Sequence, residues 1–282
     1  MLANIRSSRH IWTFHNWGAN FGTSAGLSLA PANGSKGAWG ILATAAQMTE
    51  EASGFCLWVH TGGTANANRP LALDIGIDPA GGTSYSVMVA DIVCGNAGTA
   101  LLAGGGHKFF FPLRIPAGAQ IAVRGQSNAT TAVRVGIKLY GKANASEMLP
   151  RGSFTETVGY VGSGSGTTFT PGNAADGAWA ELGTTTRPCW WWQLGYSISN
   201  TTIMAEYTYI QLAYGDATNK HMILERTHQA TTGELIGDVT GQQVVWQEGY
   251  CRVPAGATLY VRGRANDAPD TGYNAVAIGV GG

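Results

Sequence analysis

The sequence predicts an all-β chain: two tandem antiparallel β-sandwich domains, jelly-roll-like, related by internal duplication. Three observations predict it. A string near residue 115 recurs near residue 253, short apolar runs are bounded by Gly, Pro and Asn, and no long amphipathic helix pattern occurs. Many short strands with turn signals between them read as a sandwich or jelly roll.

The duplication is the strongest signal. Residues 113–125 read Leu-Arg-Ile-Pro-Ala-Gly-Ala-Gln-Ile-Ala-Val-Arg-Gly, and residues 251–263 read Cys-Arg-Val-Pro-Ala-Gly-Ala-Thr-Leu-Tyr-Val-Arg-Gly. Gly37-Ala38-Trp39 likewise matches Gly177-Ala178-Trp179. A period this long marks a copied domain, because solenoid repeats run to about 20–50 residues. Asn144 to Gly152 interrupts the strand pattern. The expected division is an N-terminal arm over 1–30, a first sandwich over 31–145 and a second over 153–282. The arm has no clear partner in the second half.

Within the repeat, Pro-Ala-Gly reads as a turn: Pro sets φ at the first corner and Gly takes the positive φ. Phe109 to Ile115 and Gln120 to Arg124 flank it, which predicts an antiparallel hairpin seen twice, with Pro116 and Pro254 in equivalent turns. Phe55–His60, Tyr85–Ala90 and Thr202–Tyr207 also read as strands. Ile41 to Glu51 is the best candidate for a short helix. Leu71–Gly76 falls near the register of Tyr209–Gly215, which sets Asp74 beside Leu212 or Ala213.

Composition excludes several classes. With 44% hydrophobic residues and 17 basic against 17 acidic, the chain is neither disordered nor basic enough for nucleic acid. The 41 glycines are scattered without period, as tight turns require. The first ten residues lack the apolar core of a signal peptide, and no run is apolar enough for a membrane helix. The expectation is a soluble chain made in the cytoplasm, with no membrane and no nucleic-acid partner.

The inventory of chemistry is thin. Cys56, Cys94, Cys189 and Cys251 contain no C-x-x-C pair and read as free thiols, although a Cys189–Cys251 bridge lies within one half. The six histidines form no zinc motif. Asp74 and Asp78 could suggest a glycosidase pair, but Asp78-Pro79-Ala80-Gly81-Gly82 is a turn whose Asp bonds its own backbone. Gly162 to Thr168 lacks the Lys of a phosphate loop and reads as a flexible loop. No nucleophile elbow occurs. The expectation is no catalytic residue, no metal, no cofactor and no enzyme.

Aromatic residues carry the remaining signal. Alternation sends Trp190 and Trp192 to one face and Trp191 to the other, which predicts core on one side and subunit contact on the other. Trp12, Phe14 and Trp17 place apolar bulk in the arm, which predicts docking on a neighbouring subunit. These six residues are the expected interface. Exposed Trp stacking on surface glycan is the alternative.

Leu71–Gly76, Phe110–Gly118 and Ile121–Arg124 together resemble a recurrent jelly-roll module in virion structural proteins of tailed bacteriophages. The resemblance covers most of 37–141 and, more weakly, 177–282. It implies a virion component made in the host cytoplasm: a capsid decoration protein, or alternatively a tail-associated or receptor-binding one. Its partners would be major capsid or tail subunits and further copies of itself, with a trimer expected by analogy.

Overall fold

The computed structural model describes residues 13–17, 25–60, 69–96, 107–127, 132–141, 151–162, 165–197, 206–230, 244–265 and 273–282. The first sandwich holds β1 (Thr13–His15), β2 (Leu27–Leu29), β3 (Ala32–Asn33), β4 (Gly40–Ala43), β5 (Ala52–His60), β6 (Arg69–Asp78), β7 (Ser86–Asn96), β8 (His107–Phe111), β9 (Gln120–Ser127) and β10 (Val133–Gly141). One sheet runs β1-β10-β5-β8, with β2 also on β10; the other runs β3-β9-β6-β7, with β4 also on β9. Strands β2-β10-β5-β8 facing β4-β9-β6-β7 is the order of an eight-stranded jelly roll.

The second sandwich repeats it with β11 (Phe154–Val158), β12 (Tyr160–Val161), β13 (Ser165–Phe169), β14 (Gly172–Asn173), β15 (Ala180–Thr184), β16 (Cys189–Ser197), β17 (Glu206–Gly215), β18 (Lys220–Ala230), β19 (Val244–Val253), β20 (Thr258–Ala265) and β21 (Tyr273–Gly281). Here β13-β21-β16-β19 faces β15-β20-β17-β18. The fold is therefore all-β, with two tandem jelly rolls of one topology.

Four details differ from the sequence expectation. The Pro-Ala-Gly turn is a corner between sheets and not a hairpin: β8 pairs with β5 while β9 pairs with β6. Gly118 and Gly256 take φ of 75° and 77° at the two corners. Their N–H groups donate to the carbonyls of Met48 and Thr185, so each corner is pinned to the segment entering β5 or β16. Secondly, the described part of the arm is built into the first sandwich. Strands β1 and β2 pair with β10 as β11 and β13 pair with β21. Thirdly, residues 41–51 form the end of β4 and a turn, with Met48 N donating to Thr44 O. Lastly, Ser165–Phe169 is a strand. Of Thr202–Tyr207, residues 202–205 lie outside the described set.

Alternation supplies each core. In the first, Phe55, Leu57, Val59, Phe109, Phe111, Ile137 and Leu139 meet Leu73, Ile75, Ile121 and Val123. Each such side chain contributes roughly 1.5–3 kcal/mol on burial. The second core solves one layer differently. Cross-strand neighbours Leu139, Phe55 and Phe111 become Gly279, Trp192 and Gly249. A Cβ on Gly279 would stand 2.8 Å from the Trp192 ring. One fully buried indole fills the layer that three large side chains fill in the first copy.

Candidate interaction surfaces

The two sandwiches meet in a joint built from a face and a flank. The second sandwich presents the outer face of β21 and β16, where Val276, Ile278, Val280 and Trp191 share the first sandwich's apolar cluster. They cover the side where β7 and β8 are the edge strands of their sheets. The polar contacts fit the edges. Thr155 and Thr157 on β11 donate through Oγ1 to the carbonyls of Met88 and Ala90 on β7, at 2.7 and 2.6 Å. The Gln193 amide donates to the carbonyl of Phe110 on β8. Arg151 of the linker pairs with Glu51 at 3.0 Å, and Gly152 bridges to Leu113. Sheet edges otherwise leave such carbonyls to solvent or to other chains.

The six expected interface residues fall into four places. Trp12 lies outside the described residues. Phe14 is half-buried against the first core, and Trp17 stacks on His15 at 4.9 Å and meets Trp58 edge-on at 4.7 Å. The described arm thus finds its surface on its own sandwich, because β1 pairs with β10. Trp190 and Trp191 both side with the first sandwich's cluster and Trp192 with the second core. Simple alternation fails there because the β16–β19 register slips between Cys189 and Trp191. The contact partner of Trp191 is Phe110 of the same chain, with ring centroids 6.5 Å apart.

Among the described residues, the buried carboxylates are tied to structure. Asp74, which is 3% exposed, accepts from Lys36 Nζ at 2.6 Å, Arg124 Nε at 2.9 Å and the Asp91 N–H at 3.0 Å. Asp78 accepts from the N–H groups of Ala80 and Ser84, as its turn predicts. Asp74 stands opposite Arg124, and Gln211 stands opposite Arg262, so Gln211 is the true counterpart of Asp74. The expected register with Leu212 or Ala213 is off by one or two. In the second sandwich the carboxylate has moved to Asp176, the counterpart of Lys36, where it pairs with Arg262 and Arg264 at 2.9 and 2.7 Å. Both copies keep a guanidinium over the repeated tryptophan: Arg124 lies 4.6 Å from Trp39 and Arg262 4.4 Å from Trp179. The pattern Lys-Asp-Arg had become Asp-Gln-Arg, which sequence comparison could find only with the correct register.

All four cysteines are free thiols. Burial pushes the Cys189 thiol up to about 12, and raises Cys94 and, less buried, Cys251. A thiol held protonated is a poor nucleophile and ligand. Among the described residues, no three His, Cys, Asp or Glu side chains gather as metal ligands.

No protein-family model matches the chain, and no curated protein matches its sequence. Solved structures resemble it at the level of the chain path. The crystal structure of the STIV MCP is 9% identical, with 96% of each chain covered and a TM-score of 0.39. The glycosylasparaginase PNGase F from Flavobacterium meningosepticum is 8% identical, with 96% of each chain covered and a TM-score of 0.39. Broad Bean Stain Virus is 8% identical, covering 96% of this chain and 88% of that one, with a TM-score of 0.35.

Proposed function

We propose that this chain is a non-enzymatic structural component of a bacteriophage virion, and within that class a capsid decoration protein bound to neighbouring capsid subunits. One observation carries the reading: the two jelly rolls are fused through a shared apolar joint, while the buried carboxylates serve ion pairs and turns. Such a unit is a building block. Double-sheet jelly rolls serve viral capsids and lectins alike, so the fold admits two roles. Near-zero net charge and Gly-rich turns suit close packing against neighbours without unpaired ions. The test is density-gradient separation of particles from a culture producing the chain. Comigration with particles is the expected result. A chain that stays in the soluble fractions overturns the reading.

The carbohydrate-binding alternative has one observation in its favour. Tyr250 is 61% exposed and lies 5.9 Å from the Trp190 ring. Against it, the rings of Trp39, Trp179, Tyr209 and Tyr260 each have a cation over one face. Glycan-array binding lost in Tyr250→Ala would favour this second role.

A further inference from the structure

Because both sandwiches share one strand order, each half of the joint has an unused copy. The face used is the outer side of β21, β16 and β11; its copy is the outer side of β10, β5 and β1. The flank used lies between β7 and β8; its copy lies between β18 and β19. A face on one molecule and a flank on another make a head-to-tail contact, which runs on into rings or filaments. We propose that the chain closes both unused copies itself, so that the joint forms once within each molecule and never between molecules.

The unused face is covered by the arm. Asn16 Oδ1 accepts from Ile137 N at 2.9 Å and its Nδ2 donates to Val135 O at 3.3 Å, filling the edge of β10 between β1 and β2. Trp17 lies over Gly136, where a Cβ would stand 2.6 Å from its indole nitrogen. In the register of the two sheets, Gly136, Lys138 and Tyr140 stand where the joint has Val276, Ile278 and Val280. The apolar row is replaced by a covered glycine, a cation and a half-buried tyrosine over whose ring that cation lies.

The unused flank is closed by Arg226. The counterpart of Phe110 is Glu248, and the counterpart of the Ala90–Asp91 bulge is Glu225. In the first sandwich the carbonyls of Phe110 and Ala90 accept from the second sandwich. In the second, those of Glu248 and Glu225 accept from Arg226, at 3.0 and 2.7 Å. One guanidinium thus takes the counterparts of two of the joint's three acceptors; the third, the carbonyl of Met88, has its counterpart at Ile223, beneath Gly249. Gly249 stands where Phe111 stands, and a Cβ there would meet the Leu224 Cβ at 2.9 Å and the Ile223 carbonyl at 3.1 Å. Strands β18 and β19 therefore close on each other.

The test uses the full chain with Cys251→Ser, His15→Cys and Glu225→Cys. His15 is the counterpart of Thr157, so a repeated joint would bring residue 15 of one molecule to residue 225 of the next. A short bis-maleimide links them only in that geometry, and association through other faces leaves the pair unlinked. The expected result is no covalent ladder. Adding Trp17→Ala, Lys138→Ile and Arg226→Ala should give a ladder and a sedimentation mass that rises with concentration. A ladder without these changes overturns the proposal, and so does a folded uncapped variant that forms none. Should that variant fail to fold, Trp17→Ala with Arg226→Ala, at one half-buried and one exposed position outside both cores, is read in the same way.

Discussion

At the scale of single residues, the two copies hold the same repeated guanidinium with different acids, and that difference is testable. Asp74 is buried with Lys36 and Arg124 against it. Removing one partner of a buried pair leaves an uncompensated charge, at roughly 3 kcal/mol. Asp74→Gln alone should cost about that much in chemical denaturation. Combining it with Lys36→Asp rebuilds the Asp-Gln-Arg set of the second sandwich, and the double variant should lose less than the two single losses summed, by about 0.5–3 kcal/mol. Strict additivity would show that the sets are unrelated. The thiols give a second expectation. An unfolded thiol ionises near 9.0, whereas folded Cys189 holds its proton up to about 12. The folded state therefore binds more protons in that window. Its contribution is full below pH 9 and is lost as pH rises toward 12. Maleimide labelling of the native chain should reach half-buried Cys251 first, and Cys94 and Cys189 only on unfolding. Early loss of Cys189 would place that thiol at a surface.

At the scale of elements, periodicity showed that strands exist more readily than it showed their pairing. Pro-Ala-Gly marks both corners because Pro and Gly set the same dihedrals in each copy. Nothing in the string says that the strands on either side enter different sheets, since pairing is decided by partners far along the chain. The same gap hid β1: Thr13–His15 shares a place with Phe154–Val158 but almost no sequence, because an edge strand is held by backbone bonds. The Trp190–Trp192 run misled for a local reason, the register slip that turns two neighbouring indoles toward one cluster. Its energetic weight is a prediction. Trp191 is nearly buried in the joint, so Trp191→Ala should cost about 3–5 kcal/mol, as large aromatic truncations do. Calorimetry should then resolve two transitions, against a single one expected for the native chain. A single transition at the native midpoint would mean that the joint contributes little to stability.

At the scale of the whole molecule, the two jelly rolls need each other unequally. The first has a flank that its own described residues leave open. Val276, Ile278, Val280 and Trp191 come from beyond residue 150 to complete its apolar cluster, and Thr155, Thr157 and Gln193 bind its edge carbonyls. Residues 1–145 alone would expose that cluster and two unpaired edges, the condition under which sheets aggregate. The second sandwich closes its corresponding flank with Arg226, Gly249 and Trp192, and loses only the cover over one outer face. Expressed separately, residues 153–282 should therefore stay folded and unfold cooperatively, with the bared row of Val276, Ile278 and Val280 as their one sticky face, whereas residues 1–145 should be insoluble or lack a cooperative transition. Mixing the halves should restore solubility, because the joint is formed by side chains on both. Equal behaviour of the two halves would show that the first sandwich closes its own flank in isolation, and the asymmetry argued from Phe111 and Gly249 would then be wrong.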